Sequence, residues 1–441
     1  MSRALLPITV TLVLIAAALS RSVATAGASV ALPPPSAFLP LYETGAGWAE
    51  DEYTTGLAFG DVDGDGRDET LIARRAATGP RLLLVDDAAA GFALLWTFGE
   101  GWGVAAWPTS VALGNVDGDP EAEMVVTRVS PVNERVQLFD DAAAGFASLA
   151  KFGETWPQTV SAVGAAFGDV DGDGLDELGV ATNATEGARA YVYDDAVAAF
   201  APLWSGGETW GAAATATGIA LGDADGDGHD DIALSRNHDS NARVFVFAGA
   251  PGFDLLWQSG ETWGPGSYAT GVAFGNVDND PAEELGVTRK ASLNERAYIF
   301  DDAGAGFATL HLFGQTWASN AWATSIAFGD VDGDGRDEVG LSRVATINER
   351  FAVFDDAQPD GGLPPFDELW GGGNEWPGEQ YATLVAFGNV DDTPEAELGA
   401  GRFAAAGPRV FVLRRGWMGW VPFVGAEGES TEPLTASFRD R

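Results

Sequence analysis

An acidic segment of nine residues returns seven times along this chain, and it carries most of the side chains that could bind a metal ion. The first copy reads Asp61-Val-Asp-Gly-Asp-Gly-Arg-Asp-Glu69. The later copies begin at Asn115, Asp169, Asp223, Asn276, Asp330 and Asn389. Carboxylates at alternate positions of a glycine-containing loop are oxygen ligands of the kind that Ca2+ prefers. The segment therefore predicts a repeated cation-binding loop.

Four copies carry the full pattern, with Asp at positions 1, 3 and 5, Gly at position 6 and an acid at position 9. Position 7 would add its backbone carbonyl. An all-oxygen set of this kind suits Ca2+ better than zinc or copper. The predicted ligands are Asp61, Asp63, Asp65, Arg67 and Glu69; Asp169, Asp171, Asp173, Leu175 and Glu177; Asp223, Asp225, Asp227, His229 and Asp231; and Asp330, Asp332, Asp334, Arg336 and Glu338.

The other three copies begin with Asn and are weaker candidates. Two of them keep Asp at positions 3 and 5 but have Pro at position 6, and the third, residues 389–397, has Thr393 at position 5. They are either lower-affinity cation sites or turns in which Asn and Asp cap their own backbone. The weaker candidate ligands are Asn115, Asp117, Asp119 and Glu123, and Asn276, Asp278, Asp280 and Glu284.

The regular return of the segment, every 54 residues or so, indicates one supersecondary unit repeated in an array. Each unit contains four short β-type runs, called A to D in chain order, joined by connections rich in Gly, Asn and Asp. The acidic loop lies between runs A and B. These features predict an all-β, seven-bladed β-propeller with four antiparallel strands per blade, over residues 38–415. A two-sheet sandwich, the alternative, would not require seven copies of one motif.

Closure of the ring is also visible in the sequence. The seventh unit has no run D, whereas the segment 38–48 aligns without gaps to residues 200–210, which hold run D of the third unit. We therefore expect residues 38–44 to form the outer strand of the seventh blade. An N-terminal strand of this kind would close the ring and remove the exposed sheet edges of an open array.

The pair Phe59-Gly60 followed by the loop beginning at Asp61 resembles the FG-GAP and VCBS-type repeats. Such repeats form the N-terminal propeller of integrin α subunits and certain seven-bladed lectins. The resemblance implies Ca2+ in the A–B loops on one face, and ligands on the opposite face or in the grooves between blades. One departure is that position 9, usually Asp in the family, is Glu in three full loops. Either this longer side chain binds, or the neighbouring Asp68, Asp176 and Asp337 substitute for it.

The overall charge excludes some partners. The chain has 65 acidic and 24 basic residues, a formal net charge of −41, and no cysteine. So large an acid excess disfavours nucleic acid and anionic membrane surfaces. The missing cysteines exclude disulfides and thiolate metal sites.

The ends of the chain differ in composition from the repeats. Residues 1–26 have the pattern of a secretory signal peptide, with Arg3 followed by an apolar stretch and a small-residue cleavage site. An uncleaved anchor is the alternative, although that stretch is short for a membrane span. Residues 27–37 read as a linker and residues 416–441 as a tail. We therefore expect a secreted or cell-surface protein with no membrane span after cleavage.

Aromatic and Arg residues recur on the side opposite the acidic loops. A Trp ring occupies the D–A connections: Trp48, Trp102, Trp156, Trp210, Trp263, Trp317 and Trp376. A strand-C Arg ring opens run C: Arg81, Arg135, Arg189, Arg243, Arg296, Arg350 and Arg409. Further Arg residues close run B: Arg128, Arg236, Arg289, Arg343 and Arg402. These rings either bind ligand or pack neighbouring blades together, and blade packing accounts better for positions filled in all seven units.

A second aromatic position, five residues after each Trp of the Trp ring, is filled in five units and holds Ser161 and Thr215 in the other two. Because it varies, it is the better candidate for ligand binding. These candidates are Tyr53, Trp107, Tyr268, Trp322 and Tyr381.

Together these patterns predict an exported, calcium-binding propeller that acts as a binding or adhesion module for a glycan or an extracellular protein. A purely structural cell-surface role and a carbohydrate-active enzyme are the alternatives. An active site would require one blade to carry groups that the others lack. The sequence shows no nucleophile motif, zinc motif or phosphate loop, so it predicts no enzyme.

Overall fold

The computed structural model of the protein describes residues 37–131, 133–238, 240–278, 280–292, 294–358 and 364–416. The predicted signal peptide 1–26, nearly all of the linker and nearly all of the tail lie outside these residues. In the part of the chain that the structure describes, no helix is long and apolar enough to cross a membrane.

The described chain forms seven four-stranded antiparallel sheets, which confirms the predicted seven-bladed β-propeller. The A strands are Tyr53–Gly60 (β2), Trp107–Gly114 (β6), Ala162–Gly168 (β10), Thr215–Gly222 (β14), Tyr268–Gly275 (β18), Trp322–Gly329 (β22) and Tyr381–Gly388 (β26). The B strands are Glu69–Arg75 (β3), Glu123–Val129 (β7), Glu177–Thr182 (β11), Asp231–Asn237 (β15), Glu284–Lys290 (β19), Glu338–Val344 (β23) and Glu397–Phe403 (β27).

The two outer strands of each blade are shorter. The C strands are Leu82–Val85 (β4), Val136–Phe139 (β8), Ala190–Tyr193 (β12), Val244–Phe247 (β16), Ala297–Phe300 (β20), Phe351–Phe354 (β24) and Val410–Gly416 (β28). The D strands are Leu94–Phe98 (β5), Ser148–Phe152 (β9), Pro202–Gly206 (β13), Leu255–Ser259 (β17), Thr309–Phe313 (β21), Glu368–Gly372 (β25) and Ala37–Thr44 (β1).

The N-terminal strand closes the ring, as the sequence predicts. Strand Ala37–Thr44 begins one residue before the predicted segment 38–44 and pairs antiparallel with Val410–Gly416, so that Thr44 faces Val410. The seventh sheet therefore has the order β1-β28-β27-β26 and is built from both ends of the described chain. The other six blades are each continuous in sequence.

The B strands form the buried centre of each blade, and in all seven the first six residues are buried. In blade 1 these residues include Leu71, Ile72 and Ala73, a run without polar alternation because both faces of the sheet are covered by neighbouring blades. Separate apolar clusters fill the spaces between adjacent sheets. The core is thus divided among blade interfaces.

The Phe-Gly or Leu-Gly pair at the end of each A strand locks one blade against the next. A side chain at Gly60 would place its Cβ 2.9 Å from the Cβ of Leu113, and Gly388 is covered in the same way by Phe59. The second contact joins blade 7 to blade 1. Glycine is therefore required because the large residue of the following blade occupies the space of its side chain.

The A strands are the innermost strands of the ring. Residues from all seven, including Thr55, Thr109 and Thr383, line one central cavity of about 300 Å3. Each A strand runs from its N-terminal residue towards the acidic loop. The first residues of the A strands and the acidic loops therefore lie at opposite ends of this cavity.

Candidate functional site

The four Asp-led loops share one hydrogen-bonding pattern. In blade 1 the carboxylate of Asp61 accepts from the backbone N–H groups of Gly64 at 2.7 Å and Gly66 at 2.8 Å. The carboxylate of Asp65 accepts from the backbone N–H of Arg67 at 3.0 Å. The same contacts recur from Asp169, Asp223 and Asp330. Both glycines have positive φ, so the tight turn depends on them.

The position-9 acid is the most unusual group in the loop. Glu69 is fully buried, and its Oε2 accepts the backbone N–H of Val62 at 2.8 Å, whereas its Oε1 has no partner among the described residues. A buried oxygen without a partner is costly unless a proton, a water molecule or a cation satisfies it. The same Oε1 atom is unpartnered in Glu123, Glu177, Glu284, Glu338 and Glu397.

Burial also raises the pKa values of these acids. Desolvation raises the pKa of Glu69, Glu123, Glu177 and Glu284 to about 8, of Glu338 to about 9, and of Glu397 and Asp231 to about 7. Such a carboxyl group needs either a proton or a counter-charge near neutral pH. Near neutral pH, the position-9 acids are therefore either protonated or paired with a positive charge.

The C–D turns contribute acids that the sequence analysis did not include in the sites. Carboxylate oxygens of Glu69, Asp86 and Asp87 lie within 4.8 Å of one another, as do those of Asp61, Asp63 and Glu69. Asp-Asp pairs occupy the same turn in blades 2, 3, 5 and 6, whereas blade 4 has Ala-Gly and blade 7 has Arg-Arg. The repeated pair, about 17 residues after each position 9, was the signal that could have identified them.

Arginine at position 7 neutralises part of the site in blades 1 and 6. The guanidinium of Arg67 lies 2.6 Å from Asp65 and 2.9 Å from Asp87, and it also contacts Asp392 of blade 7 at 2.8 Å. Arg336 contacts Asp334 and lies 2.5 Å from Asp356. Blades 3 and 4 have Leu175 and His229 at this position, so no position-7 guanidinium pairs with their acids.

The three Asn-led loops are closed differently. Asn276 donates from Nδ2 to the backbone carbonyl of Asp280 at 2.6 Å, and Asn389 donates to Thr393 at 2.7 Å. All three Asn-led loops have Pro at position 6, whereas all four Asp-led loops have Gly there. In the Asp-led loops the N–H of Gly at position 6 donates to the second carboxylate oxygen of the position-1 Asp. Proline at position 6 has no N–H, so a position-1 residue with a single acceptor oxygen, Asn, is sufficient. The Asn amide instead closes the turn by its hydrogen bond to the position-5 carbonyl.

Blade 7 differs further, because its C strand carries Arg414 and Arg415 where other blades have acids. Arg414 lies 2.9 Å from Asp391, the position-3 acid of blade 7, and Arg415 lies 2.9 Å from Asp332 of blade 6. Although burial raises the pKa of Asp391, hydrogen bonds from Thr393 and Arg414 outweigh it, and the net shift is downward. The blade 7 loop thus already has an internal cation.

The acid at position 8 belongs to a joint between blades. The backbone N–H of Asp68 donates to the carbonyl of Asn389 at 2.7 Å, and the carboxylate of Asp68 accepts the N–H of Asn389 at 2.7 Å. Asp176 and Asp337 bind the two other Asn-led loops in the same way. Of the two alternatives for position 9, the structure therefore favours the longer Glu as the side chain that points into the loop.

The donor set of the Asp-led loops fits Ca2+. Carboxylate oxygens of Asp169, Asp171 and Glu177 lie within 4.8 Å of one another. Two oxygens that share one Ca2+ at its usual bond lengths are at most about 5 Å apart. A bound ion would satisfy the buried Glu177 Oε1 and offset the repulsion between the acids. Blade 3 combines this set with Asp194 and Asp195 of the C–D turn and has no Arg at position 7.

On the opposite face, the side chains of the strand-C Arg ring donate hydrogen bonds to backbone carbonyl groups. Arg81 is fully buried and donates to the carbonyl groups of Gly79, Ala77 and Trp102 at 2.5, 3.1 and 3.2 Å. All seven members of this ring are at most 1% exposed. These guanidinium groups tie the B–C hairpins to the D–A connections and are not exposed to ligand.

The Trp ring packs between blades. Trp102, which follows blade 1, lies under the guanidinium of Arg128 of blade 2, with 4.4 Å from Cζ to the ring centroid. Equivalent pairs join Trp48 to Arg74 and Trp317 to Arg343. The strand-B Arg set thus includes Arg74, which the sequence analysis left out. Cation–π contacts of this kind stabilise the blade interfaces and make these rings structural.

The second aromatic position surrounds the end of the central cavity that lies away from the acidic loops. Together with the residues that face it at the end of strand B, it forms a collar. The collar consists of Tyr53, Arg75, Trp107, Val129, Ser161, Asn183, Thr215, Asn237, Tyr268, Lys290, Trp322, Val344, Tyr381 and Phe403. Its aromatic members are partly exposed. Five blades supply aromatic rings, and blades 3 and 4 supply small polar side chains.

Blade 6 carries a group of charges that the sequence analysis missed. A cavity of about 400 Å3 is lined by Arg343, Glu349, Glu368, Trp317 and Phe351, among others. Glu349 pairs with Arg343 at 3.1 Å. Burial and the nearby Glu349 raise the pKa of Glu368. Its position in strand D holds Leu, Ser, Pro or Thr in the other blades, and this difference was the available signal.

Comparisons with known proteins support the fold. No family model and no curated protein matches the chain. Among solved structures, it is similar to Raptor of Chaetomium thermophilum, with a TM-score of 0.55, 11% identity, and coverage of 86% of this chain but only 29% of Raptor. It is also similar to the Dos1 propeller, with a TM-score of 0.50, 12% identity, and coverage of 82% of this chain and 77% of the other. An Agrocybe aegerita lectin matches with a TM-score of 0.45, 11% identity, and coverage of 73% and 80%.

Proposed function

We propose that this protein is an exported, calcium-stabilised β-propeller of the FG-GAP type that binds a glycan at the collar. The observation that carries the proposal is the set of five aromatic rings around one end of the central cavity. Aromatic faces stack on the C–H surfaces of sugars, and several rings at one mouth allow a chain of sugars to be held at more than one point.

The packing of the molecule supports this choice of site. The Trp ring and the strand-C Arg ring are occupied by contacts between and within blades. The collar, by contrast, tolerates Ser161 and Thr215 in two blades, so ring packing does not require an aromatic residue there. Aromatic side chains that packing does not require, and that remain partly exposed, are typical of binding surfaces.

In this proposal, Ca2+ stabilises the fold on the face away from the collar. The residues that would hold it are the position-1, position-3 and position-9 acids of the Asp-led loops, with the C–D turn acids. The ion would supply positive charge to acids that otherwise repel one another. It would not contact the glycan, because the loops and the collar lie at opposite ends of the A strands.

A glycan array, probed with and without Ca2+, tests the proposal. We expect binding that is lost in the double variant Trp107→Ala/Trp322→Ala and retained in Leu94→Ala, which removes an exposed apolar residue from an outer strand. The thermal melt of each variant controls for folding. If no glycan binds, or if the double variant binds as well as the parent protein, the collar proposal is wrong. A purely structural role would then remain.

The blade 6 cavity supports a carbohydrate-active enzyme as a second candidate. Hydrolysis of a glycosidic bond uses two carboxyl groups in different environments, one protonated and one ionised. Glu349 pairs with Arg343, and burial raises the pKa of Glu368, so the two carboxyl groups lie in different environments. Release of reducing sugar from polysaccharides, lost in Glu368→Gln, would establish this activity. Without such activity, the prediction of no enzyme stands.

A further inference from the structure

Two basic side chains of the collar are each placed between two aromatic rings. Arg75 of blade 1 lies with its Cζ 5.8 Å from the ring centroid of Tyr53 and 4.5 Å from that of Trp107. Lys290 of blade 5 lies with its Nζ 5.6 Å from Tyr268 and 4.8 Å from Trp322. Each unit contains the aromatic residue of the same blade and that of the following blade. The collar therefore repeats one aromatic–cation–aromatic arrangement twice.

Neither cation has an acidic partner among the described residues. Eight Arg residues of the described chain form ion pairs with Asp or Glu within 4.0 Å, and neither Arg75 nor Lys290 forms one there. Within the described part of the chain, the side chain of Arg75 forms one hydrogen bond, to the hydroxyl of Tyr53 at 3.1 Å. In a chain with 65 acidic residues, cations without an acidic partner at the centre of one face are unusual.

Packing of the ring does not require a cation at this position. The equivalent residues of the other five blades are Val129, Asn183, Asn237, Val344 and Phe403. Phe403 fills the same space between Tyr53 and Tyr381, with centroid distances of 5.3 and 5.1 Å. An apolar residue thus serves equally well between two aromatic rings. The positive charge of Arg75 and Lys290 must be explained by something other than the fold.

We propose that the collar selects sugars that carry a carboxylate. This inference rests on the proposed glycan-binding function and names the ligand class. The ring of a uronic acid would stack on Trp107 or Trp322, while its carboxylate would bind Arg75 or Lys290. A guanidinium can donate two parallel hydrogen bonds to one carboxylate, whereas the ammonium of Lys acts as a point charge. Arg75 should therefore fix the orientation of a bound carboxylate more firmly than Lys290 does.

The rest of the molecule sharpens this selection. The strongly negative exterior repels densely charged polyanions at a distance. A short oligosaccharide with few carboxylates is repelled less and can place single carboxylates on the two cations, whereas a neutral sugar can form hydrogen bonds with them but no ion pair. One unit lies on blades 1 and 2 and the other on blades 5 and 6. Blade 7 separates them on one side of the ring, and blades 3 and 4 separate them on the other. A ligand that contacts both units must therefore extend across the mouth of the cavity.

Oligomers of galacturonate, glucuronate and mannuronate, each compared with its methyl ester, test the inference. The ester keeps the sugar rings and hydroxyl groups but removes the charge. We expect at least one acid form to bind about 10-fold more tightly than its ester, with the ratio falling as salt is added. Arg75→Val and Lys290→Val, which copy the Val of blades 2 and 6, should each reduce this ratio.

The matched control is Lys151→Val, which removes an exposed cation from the outer strand of blade 2, where it has no acidic partner among the residues that the structure describes. It should leave the ratio unchanged. Equal binding of acid and ester, or an unchanged ratio in both collar variants, would overturn the inference while leaving glycan binding intact. If neutral glycans bind and no acid form does, the inference also fails alone. If no glycan binds but an acidic peptide does, both proposals are wrong.

Discussion

The loops of blades 3 and 7 occupy equivalent places in their blades and have opposite electrostatics. In both, a buried Glu accepts the position-2 N–H and leaves one oxygen unpartnered among the described residues: Glu177 in blade 3 and Glu397 in blade 7. In blade 3, carboxylate oxygens of Asp169 and Asp171 lie within 4.8 Å of one from Glu177, whereas blade 7 places Arg414 against its position-3 acid. The comparison teaches that the charge around the buried Glu is set by residues outside the repeated motif, such as Arg414, as well as by those within it.

The largest expected effect on stability comes from deleting the N-terminal strand, because only blade 7 depends on it. Blade 3 is continuous in sequence, whereas blade 7 depends on the strand Ala37–Thr44. Deleting residues 38–48 exposes the sheet edge of blade 7 and removes Trp48 from Arg74, so we expect the melting temperature to fall sharply, by more than about 10 °C. Hydrogen exchange should show blade 7 losing protection before blade 3. An unchanged melt would contradict the closure of the ring by this strand.

Removal of Ca2+ should come next in size. Each site that is saturated at a hundredfold excess of ligand over its Kd adds about 2.7 kcal/mol to the free energy of unfolding. We therefore expect chelator to lower the melting temperature. Equal melting temperatures with Ca2+ and with chelator would refute a structural role for the ion.

Single substitutions then locate the ion. Glu177→Gln should remove one bound Ca2+ per molecule, measured by calorimetry or by equilibrium dialysis. Glu397→Gln, the matched control, should leave the stoichiometry unchanged because Arg414 already neutralises that loop. Loss of a bound ion in the blade 7 variant but not in the blade 3 variant would reverse the comparison.

The position-9 acids also predict how stability depends on pH. Burial raises the pKa of Glu177 from 4.5 to about 8 in the folded protein. The folded state therefore binds more protons than the unfolded state between these values, and stability without Ca2+ should fall as pH rises from about 4.5 to 8. Denaturant melts across this range measure the slope. Saturating Ca2+, which binds the deprotonated acids, should flatten or reverse it, and a slope of opposite sign in chelator would contradict the assignment.

A charge exchange should give the smallest and most specific effect. Arg414→Asp would give blade 7 an acid where blade 3 has Asp194. We expect it to create a weak additional Ca2+ site, detected as a small increase in bound ion at high Ca2+. Asp194→Arg in blade 3 should do the reverse. If neither change alters binding, the C–D turn does not decide occupancy.

The sequence was sufficient for the architecture and the phase of every strand, because the repeat fixes both. It predicted the closing strand to within one residue at its start. It could not show that Asp68 points to a neighbouring blade, since adjacent acids in a loop differ only in direction. It also did not reveal the collar cations, because Arg75 and Lys290 are single departures from the repeat. Their significance depends on the aromatic rings that the fold brings beside them.

The joints at position 8 have a consequence for the ring as a whole. In all seven blades the N–H of the position-8 residue donates to the carbonyl of position 1 in the preceding blade, at 2.7 or 2.8 Å. The seven hydrogen bonds form a closed ring around the propeller. The bond from Asp68 to Asn389, which joins blade 1 to blade 7, has the same geometry as the others. Each blade is held by one such bond on each side, so breaking a single bond does not let a blade move away from its neighbours. We therefore expect these amides to exchange with solvent only when the whole ring opens, and so to exchange together.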